Sequence, residues 1–281
     1  MRRLVQNGHE VAVFYRGEHQ AALPAGVRRF EDARAAMPVI RIPEALRAYA
    51  PEIVLHMIAM GQQDAEAACK AFVGIARRIV APSSGDVYRA YGVFTGFEDA
   101  PLQPGLLGES SPLRSKLYPY RTPDTPRDAL EYLYDKILVE SALSSDTRLP
   151  ATILRLPKVY GPEDNANLAT VYRFRDHPSW RWTHGYVDNV AQAIAQAIMD
   201  ERACGCTYNV GEEQTPTVGQ RLEYLPEDHS SVPAREHAGN FAQDIAYDTS
   251  LIRRHLGYHE EVSERAAMIE TLRASIAGNA S

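Results

Sequence analysis

Cysteine is almost missing from this chain, with only Cys69, Cys204 and Cys206 among 281 residues. An odd count without framework spacing excludes a disulfide scaffold and reads as reduced thiols in a cytoplasmic protein. The Cys204-Gly205-Cys206 pair has no companion at ligand spacing, so no metal site is expected. Long apolar runs are missing too. None approaches the ~18 residues that a membrane-spanning helix needs, and the N-terminus carries no secretory apolar core, so no membrane partner is expected. Lysine is scarce: Lys70, Lys116, Lys136 and Lys158 are the full set, and the remaining basic residues are scattered arginines. With a net charge of −6 and no basic cluster, the composition argues against nucleic acid as a partner. Internal repeats and low-complexity stretches are likewise absent.

What is present is the composition of an ordinary globular protein, 45% hydrophobic and 23% charged, long enough for one sizeable core plus a smaller lobe. Leu4 to Asn7, closed by Gly8, reads as the end of a helix. Short β-rich apolar runs follow at Val11–Tyr15, Ile53–Ile58, Arg78–Ala81, Ala151–Arg155 and Thr207–Val210, each suited to a buried parallel strand. Helical patterns separate them at Pro43–Tyr49, Asp64–Gly74, Asp128–Ser144 and Tyr186–Met199. Two more lie near the C-terminus, at Thr249–Leu256 and Glu264–Ile276. Pro101 to Arg127 is rich in proline and glycine and reads as a long functional loop. Strands alternating with helices predict an α/β fold: a Rossmann-like, doubly wound, mostly parallel sheet with a smaller C-terminal substrate lobe.

Three local patterns fall at the carboxyl ends of these strands or on the helix beside them, where open parallel sheets bind ligands. Ser83-Ser84-Gly85-Asp86-Val87-Tyr88 follows the strand ending at Ala81. Tyr132 and Lys136 stand four residues apart in the helical stretch after it, a spacing that puts both on one helix face. There the ammonium would favour the phenolate and make the tyrosine a usable acid/base for carbonyl and alcohol chemistry. Leu154 to Pro162, containing Val159-Tyr160-Gly161-Pro162, runs off the next strand. Tyr134, two positions from Lys136, faces largely the other way on a helix and reads as packing.

This order resembles the extended short-chain dehydrogenase/reductase family, in its NAD-dependent epimerase/dehydratase branch, over Arg2 to about Tyr258. The family's Ser-x-x-x-Tyr falls on Ser84 and Tyr88, its Tyr-x-x-x-Lys on Tyr132 and Lys136, and its Tyr-Asn-Val-Gly on Tyr208 to Gly211. The resemblance implies an NAD or NADP cofactor and hydride transfer to or from a sugar or nucleotide-sugar-like small-molecule substrate. It implies Tyr132 as general acid/base and Lys136 as the group that acidifies it and holds the nicotinamide ribose. Ser84 would bond the reacting oxygen. Ile58, Ala59 and Met60 would line the middle of the cofactor, and Pro157 and Val159 its nicotinamide. Arg16, where an acidic residue would favour NAD, leans toward NADP or is a solvated surface arginine. Asp32 is either an adenine neighbour or a loop carboxylate. Asp86, Tyr88 and His184 are candidates for substrate contact, although His184 could equally bond within the core, and Ser84 could simply cap the next turn. His56 reads as a core histidine. The resemblance also allows a homodimer. It divides the chain into a cofactor domain over 1–160 and a mainly substrate-binding lobe over 161–281, with 186–211 returning to the first.

Two departures qualify this. The family opens with a strand and a Gly-x-x-Gly-x-x-Gly turn that cradles the pyrophosphate. Here Arg2 to His9 resembles the end of the helix after that turn, and Gly8, Gly17 and Gly26 miss the spacing. The expectation is a domain without its first strand, through a misassigned start or truncation, or else a non-catalytic relative that binds or regulates. Trp182 also stands where nucleotide-sugar enzymes carry an arginine that clamps the diphosphate, with Arg181 displaced by one.

Overall fold

The computed structural model describes residues 1–15, 22–32, 39–227 and 239–279. Arg16 lies outside the described residues. The chain opens with α1 (Arg2–Gln6), β1 (Ala12–Tyr15), β2 (Arg28–Glu31), α2 (Glu44–Ala48), β3 (Ile53–Leu55), α3 (Gln62–Phe72) and β4 (Arg78–Ser84). It continues with α4 (Arg89–Phe94), α5 (Leu130–Leu133), α6 (Lys136–Leu143), β5 (Ala151–Leu156), β6 (Lys158–Tyr160), α7 (Ala169–Tyr172) and β7 (His184–Tyr186). Then come α8 (Val187–Met199), β8 (Thr207–Asn209), α9 (Val218–Leu222), α10 (Ser250–Leu256) and α11 (Glu264–Asn279).

The strands form a four-stranded sheet in the order β3-β4-β5-β8 and two separate parallel pairs, β1 with β2 and β6 with β7. β3 runs parallel to β4, with Ile53 opposite Arg78 and Leu55 opposite Val80. The expected α/β alternation with parallel strands is therefore present. Burial departs from the expectation at two strands. β4 is buried from Arg78 to Ser83, whereas the apolar residues of β1 and β3 are only half-buried. β3 also stops at Leu55, and Met57 and Ile58 beyond it are 49% and 46% exposed.

Two compact units interleave along the chain. The first comprises residues 1–83, 117–154 and 194–207. Its core joins Ala65, Ala68 and Phe72 of α3 to Val139 and Leu143 of α6, with Ile79 and Ala81 of β4 and Ile153 of β5. Positions 65, 68 and 72 repeat at helical spacing, so α3 turns one apolar stripe inward, and its alanines let α6 approach closely. Full burial of Phe72 alone contributes roughly 2–3 kcal/mol. Arg78 is buried at the start of β4, where its guanidinium donates to the carbonyls of Ile198 and Asp200.

The second unit comprises residues 84–116, 155–193 and 208–281. Phe94, Phe174, Trp180 and Phe241 form an aromatic cluster with ring centroids 4.6–6.4 Å apart. Elsewhere in the unit Glu212 is buried and accepts from the Tyr186 amide at 3.2 Å. Burial, with the nearby Glu260 and Glu264 charges adding, pushes its carboxyl up to about 8. Glu260 is itself paired with Arg253, and Glu264 with Arg221 at 2.8 Å. Between the ordinary value of 4.5 and about 8 the folded state keeps a proton that the unfolded chain releases. Stability therefore falls as pH rises through that window, and the loss is complete above it. Glu212→Gln should remove this slope. Melting curves of the two proteins should diverge in the variant's favour from about pH 5 to about pH 8 and then run parallel. A variant with an unchanged slope would show that Glu212 ionises normally.

Candidate active site

Lys136 begins α6, directly after its N-cap Asp135. Asp135 is fully buried. Its Oδ1 accepts from the Ile137 amide at 2.9 Å, and its other carboxylate oxygen accepts from the Tyr118 amide at 2.5 Å. Its own amide donates to the Met60 carbonyl at 3.0 Å. From this anchored start the Lys136 side chain runs inward, and Nζ donates to the carbonyls of Ala59 at 2.5 Å and Pro82 at 3.4 Å. These carbonyls lie just past β3 and near the end of β4, the sheet edge where ligand chemistry is expected. One turn along α6, Glu140 accepts from the Ser83 hydroxyl at 2.6 Å, tying the helix to β4. His56 is buried nearby, with Nε2 3.3 Å from the Asp64 carbonyl, and burial lowers its pKa. It is the core histidine expected.

The helix expected over Asp128–Ser144 is broken. α5 ends at Leu133, α6 starts at Lys136, and Tyr134 and Asp135 between them are extended. Tyr132 and Lys136 consequently do not share a helix face. The Tyr132 ring instead packs on the Arg121 guanidinium, 4.0 Å from the ring centroid, with Tyr118 on the same cation at 3.6 Å. Arg121 Nε also donates to the Tyr132 carbonyl at 2.8 Å. The ring beside the Lys136 ammonium is that of Tyr134, at 5.8 Å. Close packing enforces the break. Gly61, at the start of α3, lies so tightly against this segment that a Cβ there would stand 2.6 Å from the Leu133 carbonyl oxygen.

The remaining candidates fall into distinct settings. Ile58 is exposed and Met60 half-buried at the end of the β3 segment, but Ala59 is wholly buried, so its carbonyl and not its side chain belongs to the site. Asp32 is half-buried after β2, its amide bonded to the Tyr15 carbonyl at 3.2 Å. Ser84 is half-buried and accepts from the Asp86 amide at 3.3 Å, capping the turn that follows. In the second unit Pro157 is buried, and Val159 sits half-buried on β6 opposite Gly185. Sequence reasoning missed Asp64. Its buried carboxylate accepts from the amides of Met60 at 3.1 Å, Gly61 at 3.0 Å and Val39, closing the N-terminus of α3. The Gly61-x-x-Asp64 spacing, an acid at the third helical position, could have revealed it.

Three substrate candidates are buried. The fully buried Tyr88 gives its hydroxyl proton to Asn209 Oδ1 at 2.5 Å and accepts from Arg155 at 3.1 Å. Asn209 Nδ2 in turn donates to the Leu107 carbonyl at 2.7 Å, so the Tyr-Asn-Val-Gly stretch cements the long loop to β8. His184 is also fully buried, with Nδ1 2.8 Å from the Trp182 carbonyl and Nε2 2.9 Å from the Thr170 hydroxyl. A carbonyl can only accept, which assigns the proton to Nδ1 and makes Thr170 the donor to Nε2. Desolvation lowers this imidazole's pKa well below its ordinary value. Asp86 is buried in the turn after β4. Tyr88 and His184 thus bond within the second unit.

For a dinucleotide, the donors present fit one end. A buried ammonium at the strand ends suits the hydroxyls of a nicotinamide riboside. No Gly-x-x-Gly-x-x-Gly turn exists in the sequence, and the amides of Met60 and Gly61, just before α3, are taken by Asp64.

No family model and no curated protein matches the chain. Solved structures do. UDP-glucose 4-epimerase from Thermotoga maritima, determined with UDP-glucose, is similar at 16% identity and a TM-score of 0.66, covering 100% of this chain and 94% of that one. The Bordetella bronchiseptica enzyme WbmG, in complex with NAD and UDP, is similar at 14% identity and a TM-score of 0.66, covering 99% and 90%. TunA, an NAD-dependent NDP-hexosamine 5,6-dehydratase of tunicamycin biosynthesis, is similar at 18% identity and a TM-score of 0.65, covering 97% and 91%. At these identities the likeness establishes the fold, a Rossmann-like α/β architecture.

Proposed function

We propose that the chain is an NAD(P)-dependent enzyme of the epimerase/dehydratase or reductase type, acting on a hydroxyl-bearing carbon of a sugar or nucleotide sugar. The observation that carries this reading is the buried Lys136 ammonium, fixed by two carbonyls at the strand ends beside a tyrosine-bearing extended turn. A cation held so firmly in the interior is costly unless it has work at that place. The fold shared with NAD-dependent nucleotide-sugar enzymes supports the same direction. When bound, the nicotinamide supplies a hydride acceptor or donor. Lys136 holds the ribose hydroxyls next to it and orients the ring. Ile58 and Met60 would border it, and Asp32 would take the adenosine end, all within the first unit. A phenol of the 132–134 segment moves the hydroxyl proton.

The engagement of the Tyr132 ring and carbonyl by Arg121 favours a second reading, a non-catalytic protein that keeps the fold and binds a sugar nucleotide. Incubation with NAD or NADP and UDP-glucose or UDP-glucuronic acid separates the two. The enzyme reading expects a changed sugar, read by proton NMR, only when nucleotide cofactor is present. An unchanged sugar with saturable binding of the UDP compound would favour the second.

A further inference from the structure

The backbone decides which phenol meets the ammonium. On a continuous helix the i, i+4 pair Tyr132 and Lys136 would share a face and Tyr134 would point away. Here Tyr134 has φ −65° and ψ 119°, and Asp135 has φ −160° and ψ 111°. In extended chain side chains alternate, so residues i and i+2 lie on the same side. That geometry sets Lys136 Nζ over the Tyr134 ring, 5.8 Å from its centroid, while Tyr132 is committed to Arg121 through both ring and carbonyl. Tyr134 is half-buried and packs on Tyr120 with centroids 5.2 Å apart, which limits the positions its ring can take. Asp135 anchors the turn from both sides through Tyr118, Met60 and Ile137.

We propose that Tyr134, not Tyr132, is the acid/base of this chain, with Lys136 as the charge that acidifies it. This assignment rests on the oxidoreductase reading above. As the carbinol carbon gives up its hydrogen and electron pair to oxidised NAD(P), the hydroxyl proton passes to the Tyr134 phenolate oxygen and the carbon–oxygen bond becomes a carbonyl. In the reverse direction the phenol returns that proton.

Difference titration of tyrosinate absorbance tests the assignment without any cofactor. Subtracting Tyr134→Phe from wild type should reveal a phenol titrating at least about one pH unit below the ordinary value near 10, and Lys136→Met should move it upward. Tyr132→Phe should leave that phenol in place. With NAD and UDP-glucose, Tyr134→Phe should lower kcat about 100-fold at an NAD KM within about twofold of wild type, and Tyr132→Phe should stay within about twofold in both. Circular dichroism confirms that each variant is folded. An early phenol lost in Tyr132→Phe, no early phenol in wild type, or full turnover in Tyr134→Phe overturns the proposal. Failure of the wild type to take up either nucleotide instead overturns the enzyme reading, and the titration still decides which phenol the lysine acidifies.

Discussion

Replacing Lys136 by methionine should abolish nicotinamide-dependent turnover, with a loss of about 100-fold or more, while leaving the protein folded. Methionine keeps the length and apolar stem of lysine, so the packing of α6 against α3 survives. What disappears is the ammonium between the Ala59 and Pro82 carbonyls. Those acceptors lose a charged donor, at a cost of about 1–3 kcal/mol, partly offset because a buried charge no longer has to be desolvated. Lys136→Arg is a useful companion. It retains charge but not the compact ammonium, and the same two carbonyls cannot seat a planar fork, so it should recover little activity. Steady-state assays with NAD and UDP-glucose, beside melting curves, read both effects. Wild-type turnover in Lys136→Met would remove the lysine from the chemistry.

The second large effect concerns stability. A Cβ at Gly85 would stand 1.3 Å from the Tyr247 hydroxyl oxygen and 2.4 Å from the ring carbon that carries it. Tyr247 cannot retreat easily. It is buried, packs edge-on against Tyr88 at 5.8 Å, and its amide donates to the Thr183 hydroxyl at 2.8 Å. Gly85→Ala should therefore cost about 3 kcal/mol or more, lowering Tm by roughly 6–12 °C. Gly108→Ala is the control, since a Cβ there meets nothing within 4 Å. It should change stability by no more than about 0.5 kcal/mol. Equal melting temperatures for the two variants would show that the turn after β4 yields without strain.

Element type was legible wherever periodicity was strong and burial one-sided. The stripe Ala65, Ala68, Phe72 announced α3, and the apolar run of β5 announced a central strand. Short or polar elements were not legible. β2 is Arg28-Arg29-Phe30-Glu31, with one apolar residue in four, and β7 is three residues paired only with β6. The consequential misreading was the helix over Asp128–Ser144. Every residue from Leu130 to Leu143 tolerates a helix, and nothing local forbids it. The break comes from groups distant in sequence: the Met60 carbonyl, the Tyr118 amide and the close approach of Gly61. Tertiary partners outweighed propensity, and with the helix went the geometry that paired Tyr132 with Lys136. The surroundings of Tyr88 and His184 were illegible for a related reason. A polar residue near a strand end looks the same in sequence whether it faces a ligand or satisfies the core. Only the hydrogen bonds to Asn209, Arg155, Thr170 and Trp182 separate those cases.

The proposed chemistry requires that the chain hold a nicotinamide cofactor through Lys136. Calorimetric titration of NAD and NADP into wild type and Lys136→Met measures it directly. The account predicts saturable heat in the wild type, weakened about tenfold or more in the variant. No heat with either nucleotide, or identical curves for the two proteins, would contradict it.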